Sequence, residues 1–173
     1  LNNEGDTILD FNLNILENKI FVEKIIIVTG YESGQIEKVA QKYSKTEIVY
    51  NPFWEHCNVL GSMFMGLDKL DDDFLFLHAD TLIELGAWEK LLKTKLGDMA
   101  LPYVKHKCGK EEMKIIINNG EIVKISKDFD GALADGEFVG IGLFRKNTIS
   151  YFKKIASIFF KRGNLQQYME SVI

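Results

Sequence analysis

Two short apolar runs that do not alternate with polar residues constrain this chain more than any other feature. Ile25-Ile26-Ile27-Val28 and Phe74-Leu75-Phe76-Leu77-His78 are each too short for a helix and apolar on both sides. A strand that is apolar on both faces is covered on both faces, as in the parallel sheets of α/β proteins. Thr46–Tyr50 reads as a further strand, stopped by Asn51-Pro52. Between these runs lie helical patterns. Asp6 is placed to cap a helix over Thr7–Asn18, and Ser33 opens a second with Ile36, Val39, Ala40 and Tyr43 in one stripe. Val59–Leu70 carries Leu60, Met63, Phe64, Leu67 and Leu70. The β-α-β-α order predicts a parallel sheet with right-handed crossovers, with Phe74–His78 as its central strand.

The second half has a different character. Asp98–Val104 reads as a strand. Met113–Asn118 and Glu121–Ser126 are strands joined by Asn119-Gly120, a type I′ hairpin signal. Residues 127–136 form an Asp- and Gly-rich loop, read either as a flap near a site or as plain surface. Glu137–Phe144 returns as a strand with Gly140 and Gly142 inside it, and interior glycine marks close approach by backbone or ligand. A helix follows over Thr148–Phe160, and Asn164 is placed to cap a last one through Met169.

The totals exclude several classes. The 173 residues fit one domain, and 46% hydrophobic with 27% charged residues is an ordinary globular balance. A net charge of −4 without a basic stripe argues against polymeric nucleic acid. No run approaches the length needed to span a bilayer, which argues against a membrane partner. Cys57 and Cys108 have no paired spacing, so they are read as free thiols of a reducing, cytoplasmic setting.

Chemistry is expected where the apolar run of Phe74–His78 gives out. Ligands of open α/β sheets bind outside the carboxyl ends of strands. Asp80 stands there and is placed to hold a divalent cation against a phosphate; its alternative role, capping the next helix from about Ile83, is better filled by Thr81 with Glu84 as a capping box. Asn58, Gly61 and Ser62 open a helix whose free N–H groups favour electronegative partners, with ordinary capping as the plainer reading. His78 reads as a satisfied core histidine. The aromatics Phe53 and Trp54 are read as either acceptor-pocket wall or core.

Three segments carry a resemblance. Ile8–Gly30, with Ile-Leu-Asp-Phe and Glu-Lys-Ile-Ile-Ile-Val-Thr-Gly-Tyr, is one; Asn58–Asp80, with Leu-Gly-Ser and a strand ending in Ala-Asp, is the second; Asn119–Lys127 with Glu137-Phe-Val-Gly-Ile is the third. Together they resemble the nucleotidyltransferase family of sugar-1-phosphate nucleotidylyltransferases and CTP:phosphocholine cytidylyltransferases. The resemblance implies an α/β, Rossmann-like three-layer sandwich, with a mostly parallel central sheet plus a β-hairpin. It implies transfer of a nucleoside monophosphate from a nucleoside triphosphate to a small phosphorylated acceptor, with release of pyrophosphate. It implies Mg²⁺ on Asp80, a base pocket at Asn58, Gly61 and Ser62, an acceptor side at Glu137 and Gly140, and a phosphate or acceptor contact for Lys127. The metal motif reads Ala-Asp where the family has Gly-Asp. The family's Gly-rich loop, with its arginine and lysine, would precede Leu1. Residues 1–173 are therefore expected to be a single domain shortened at the N-terminus, and the C-terminus is open to the same reading. Two rivals stand beside the enzyme: a related glycosyltransferase, which would bracket this position with two acidic residues, and an inactive nucleotide-binding or regulatory module.

Overall fold

The computed structural model describes residues 7–95 and 97–173. Helix α1 (Ile8–Asn18) is started by Thr7, whose hydroxyl accepts from the backbone N–H of Asp10 at 3.0 Å while the Asp10 carboxylate reaches back to Thr7. That reciprocal pair satisfies two of the donors a helix start leaves open. It is the cap expected of Asp6, which lies outside the described residues. Strand β1 (Ile25–Thr29), helix α2 (Ser33–Ala40) and strand β2 (Thr46–Tyr50) follow, with β1 and β2 parallel in the register Ile25 to Thr46. Helix α3 (Val59–Leu67) leads to β3 (Phe74–Leu77).

Both faces of β3 are covered, as its sequence requires. Phe74 and Phe76 join one apolar cluster, and Leu75 and Leu77 join another. Its observed ladder is nevertheless antiparallel, on β9 (Ile141–Phe144), which also pairs with the two-residue strand β4 (Met99–Ala100). The expectation of a central strand in a mostly parallel sheet is corrected at this point: the observed sheets are small and mainly antiparallel. An unbroken apolar run reports that both faces are buried, and it carries no information on the direction of the neighbour.

A third sheet orders β5 (Tyr103–Val104), β8 (Gly136–Phe138), β6 (Lys114–Asn118) and β7 (Glu121–Ser126), all antiparallel. The strand expected over Asp98–Val104 is split by Leu101-Pro102, since proline has no N–H for a ladder, and its two pieces serve different sheets. The strand expected over Glu137–Phe144 is split at Gly140, where φ is +75°. The hairpin turn has φ of 52° at Asn119 and 83° at Gly120, both positive as a type I′ turn demands.

Helix α4 (Leu85–Lys93) starts at Glu84 without a side-chain cap. The expected Thr81–Glu84 capping box does not form. Thr81 is held in a turn by its N–H on the carbonyl of His78, and its own carbonyl accepts from the Asn12 amide at 2.8 Å. Helix α5 (Asn147–Lys161) closes the core, with Phe144 edge-on to Phe152. The last expected helix is absent. Residues 165–167 run without regular structure because their carbonyls serve α3, and only a 3-10 turn forms at Met169–Val172. The two clusters flank the β3–β9–β4 sheet: α3, α5 and the 3-10 turn on one side, α1 and α4 on the other.

Candidate active site

The site is built around the carboxyl end of β3. The backbone N–H of His78 donates to the carbonyl of Gly140 at 2.9 Å, the last rung between β3 and the segment entering β9. Two residues on, Asp80 is exposed, and its carboxylate makes no hydrogen bond or ion pair with the described residues. Gly140 packs directly on the turn. A Cβ there would lie 2.9 Å from Nδ1 of His78 and 3.1 Å from Oγ1 of Thr81.

Behind this lip sits a polar group that sequence reasoning missed. Glu170 is only 4% exposed, and its Oε2 is buried without a hydrogen-bond partner. Burial pushes its carboxyl up from the ordinary glutamate range, and the charges of His78 and Lys127 oppose that rise. His78 lies edge-on to Phe76 and Phe138, and its Nε2 is likewise buried and unpartnered. It is not the satisfied core histidine expected. Lys127 lies with Nζ 5.2 Å from the ring centre of Tyr168, a cation–π contact. The structure thus brings together Gly140, Lys127, His78, Tyr168 and Glu170 beside the turn that presents Asp80. The signal for Glu170 in the sequence is slight: one carboxylate beside Met169 and near Val172, both of which are buried.

Lys127 also lines a cleft of about 540 Å³ with Cys108, Lys110, Asp128, Phe129 and Asp130. Lys114, fully buried, forms one strut beside it by donating to the carbonyls of Gly109, Lys110 and Glu112, each at 3.2 Å. Glu137 is engaged elsewhere: its carboxylate pairs with Nε2 of His106 at 2.8 Å, and that bond raises the histidine above its usual range.

Asn58, Gly61 and Ser62 form a second group at the start of α3. The Asn58 side chain caps the N–H of Val59 at 2.8 Å. The N–H groups of Asn58 and Leu60 donate to the carbonyls of Leu165 and Gln167, both at 3.1 Å. Ser62 Oγ accepts from Asn51, which is 1% exposed and also contacts Cys57 Sγ. Gly61 packs against that same thiol, so a Cβ at 61 would meet Cys57 at 2.6 Å. Segment 165–170 joins the two groups, capping α3 with its first residues and delivering Tyr168 and Glu170 with its last.

One exposed, unpaired carboxylate fits the way Mg²⁺ is commonly held, by one or two carboxylates with the remaining positions taken by water and substrate phosphates. Among the described residues no three His, Cys, Asp or Glu side chains converge to form a cage. Asp80 is the exposed carboxylate of this lip that could hold such an ion.

No family model matches the chain. Solved structures do. The inositol-1-phosphate CTP transferase from T. maritima aligns with a TM-score of 0.69 at 18% identity, over 89% of this chain and 69% of its own. The CTP:phosphocholine cytidylyltransferase LicC from Streptococcus pneumoniae aligns with a TM-score of 0.70 at 15% identity, over 98% and 71%. HddC from Yersinia pseudotuberculosis aligns at 0.58 and 18%, over 74% of this chain and 58% of its own. The chain has the fold of these proteins, two of them nucleotidyltransferases by name.

Proposed function

We propose that this chain carries the site of a nucleotidyltransferase, which moves a nucleoside monophosphate from a nucleoside triphosphate to a small phosphorylated acceptor and releases pyrophosphate. The observation that carries the reading is the placement of Asp80: exposed and unpaired, one turn beyond a covered strand, beside a buried, incompletely satisfied polar group. An acceptor phosphate oxygen attacks the α-phosphorus, the bond from that phosphorus to the bridging oxygen breaks, and pyrophosphate leaves with the electron pair. The protein's part is positioning and charge neutralisation. Asp80 holds Mg²⁺, which neutralises phosphate charge when bound. Lys127 faces the acceptor side with Gly140, where the absence of a side chain leaves the lip low. His78 Nε2 and Glu170 Oε2 lie buried behind the lip, and the two side chains support it from within.

The α/β frame of the aligned structures belongs to this reading too. So does a cytoplasmic setting, supported by the free thiols of Cys57 and Cys108. Among the described residues no helix is long and apolar enough to cross a membrane.

Product analysis on the full-length polypeptide tests the proposal. It is run with each of the four nucleoside triphosphates, Mg²⁺, and either a sugar-1-phosphate or phosphocholine. Pyrophosphate is the expected product; release of a free nucleoside diphosphate assigns group transfer of another kind, and nucleotide binding without any product assigns an inactive nucleotide-binding module.

A further inference from the structure

The turn that presents Asp80 is held at its two ends by different elements. The N–H of His78 donates to the carbonyl of Gly140 at 2.9 Å, which ties one end to the segment entering β9. The carbonyl of Thr81 accepts from the side chain of Asn12 at 2.8 Å, which ties the other end to α1. The N–H of Thr81 closes the turn on the carbonyl of His78 at 3.1 Å. Ala79 and Asp80 lie exposed between these anchors, and their backbone groups make no hydrogen bond with the described residues.

Asn12 is an unusual residue for its place. It is 2% exposed, on the face of α1 that sends Ile15 and Leu16 into the apolar cluster with Ile83, Trp88 and Ile141. Leucine would suit such a face. The Asn12 amide makes one bond, to Thr81, and its Oδ1 is buried without a partner among the described residues. A carbonyl only accepts, so the NH₂ group must face Thr81. The unpaired Oδ1 then costs stability. Asn12 is therefore poorly explained as a stabiliser of the core. What it supplies is a directional tie from the helix to the turn. The helix is a firm base for that tie, since Lys42 pairs with the Asp10 carboxylate at 3.0 Å and the Tyr43 hydroxyl donates to the Asp10 carbonyl at 2.9 Å.

We propose that Asn12 is the positioning residue of Asp80. With residue 78 fixed on β9 and residue 81 fixed on α1, rotation at 79 and 80 is confined, and the carboxylate keeps one direction. Without the Asn12 bond the turn has one anchored end, and the next fixed point is the buried side chain of Ile83. Partners that orient a metal-holding group are typically worth 10–100-fold in metal affinity when removed. The metal half of this inference rests on the reading of Asp80 given above; the rigidity of the turn does not.

Two measurements on the full-length polypeptide test it, on the parent, Asn12→Leu and Asn12→Ala. The first is the backbone order parameter of Asp80 and Thr81 from ¹⁵N relaxation. It is expected near about 0.85 in the parent and below about 0.6 in both variants. The second is binding of Mn²⁺, in place of Mg²⁺, in the presence of each of the four nucleoside triphosphates, followed by electron paramagnetic resonance. The dissociation constant is expected to rise at least about 10-fold in both variants. Asp10→Ala serves as the structural control: it weakens α1 at its start without touching Thr81, and it is expected to lower stability and leave both readouts at the parent values. Order parameters unchanged in the Asn12 variants overturn the proposal, as does a turn loosened equally by Asp10→Ala, or a loosened turn with undiminished Mn²⁺ binding. A parent that binds no Mn²⁺ with any triphosphate contradicts the metal reading of Asp80 instead, and the order parameters alone then decide the part played by Asn12.

Discussion

Gly140 and His78 are fastened to each other twice, by the 2.9 Å bond between their backbones and by the imidazole lying where a side chain at 140 would have to go. Gly140→Ala is therefore expected to meet both a positive φ and a blocked Cβ position. The left-handed backbone alone costs about 1–2 kcal/mol for a residue with a side chain. Urea unfolding should show a loss of that size or more, and displacement of His78 should weaken acceptor use. A variant as stable as the parent would show that the lip yields freely.

Glu170 gives the clearest pH signature. Its carboxyl is raised in the folded protein, so the folded state binds the proton more tightly than the unfolded chain does. The contribution to stability is then full below the ordinary glutamate value of 4.5 and is lost as pH rises through the raised folded value. Glu170→Gln should be more stable than the parent near neutrality, with the advantage shrinking toward pH 4. Equal thermal stability of the two at every pH would remove Glu170 as a strained acid.

At the start of α1 the sign is opposite. Burial raises the Asp10 carboxyl, but bonds from Lys42 and Thr7 outweigh it and hold the group below its usual range. Stability from Asp10 is present above its ordinary value of 3.8 and is lost as pH falls through the lowered one. Asp10→Ala should cost roughly 1–2 kcal/mol near neutrality, the size of a lost cap with its partner, and should flatten the acid limb of a stability profile.

Lys114 is a buried cation held by three carbonyls of residues 109–112. Lys114→Met keeps the volume and removes every donor. Gly109 and Lys110 are exposed, so water replaces the lost donor at their carbonyls, and the loss is that of the net hydrogen bonds to a charged group, about 1.5–3 kcal/mol. Denaturant unfolding should show a loss of about 2 kcal/mol, with the cleft beside Lys110 and Lys127 less well formed.

What the sequence disclosed depended on what each residue pattern encodes. The β-branched run of β1 and the Asn119-Gly120 turn were legible because their local chemistry admits few alternatives. The covered faces of β3 were legible, but its antiparallel neighbour was not, since the pairing is decided by β9, more than sixty residues away. Gly140 announced close approach, and the neighbour it approaches is His78. The segment after Asn164 looked helical because Asn164 is placed to cap a helix. Its backbone carbonyls were claimed instead by Asn58 and Leu60, a competition no local pattern records. Glu170 was invisible for the same reason: its environment is made by His78 and Lys127, distant in the chain.

The account rests on Asp80, and one measurement tests it most directly. The full-length polypeptide and its Asp80→Asn variant are compared for pyrophosphate release with nucleoside triphosphate, Mg²⁺ and phosphorylated acceptor, with unfolding followed on the same samples. Asp80 is exposed and unpaired, so the variant should unfold within about 0.5 kcal/mol of the parent, while its turnover falls by a factor of about 100 or more, the scale of lost metal-assisted charge neutralisation. Pyrophosphate release that survives the substitution undiminished would contradict the account.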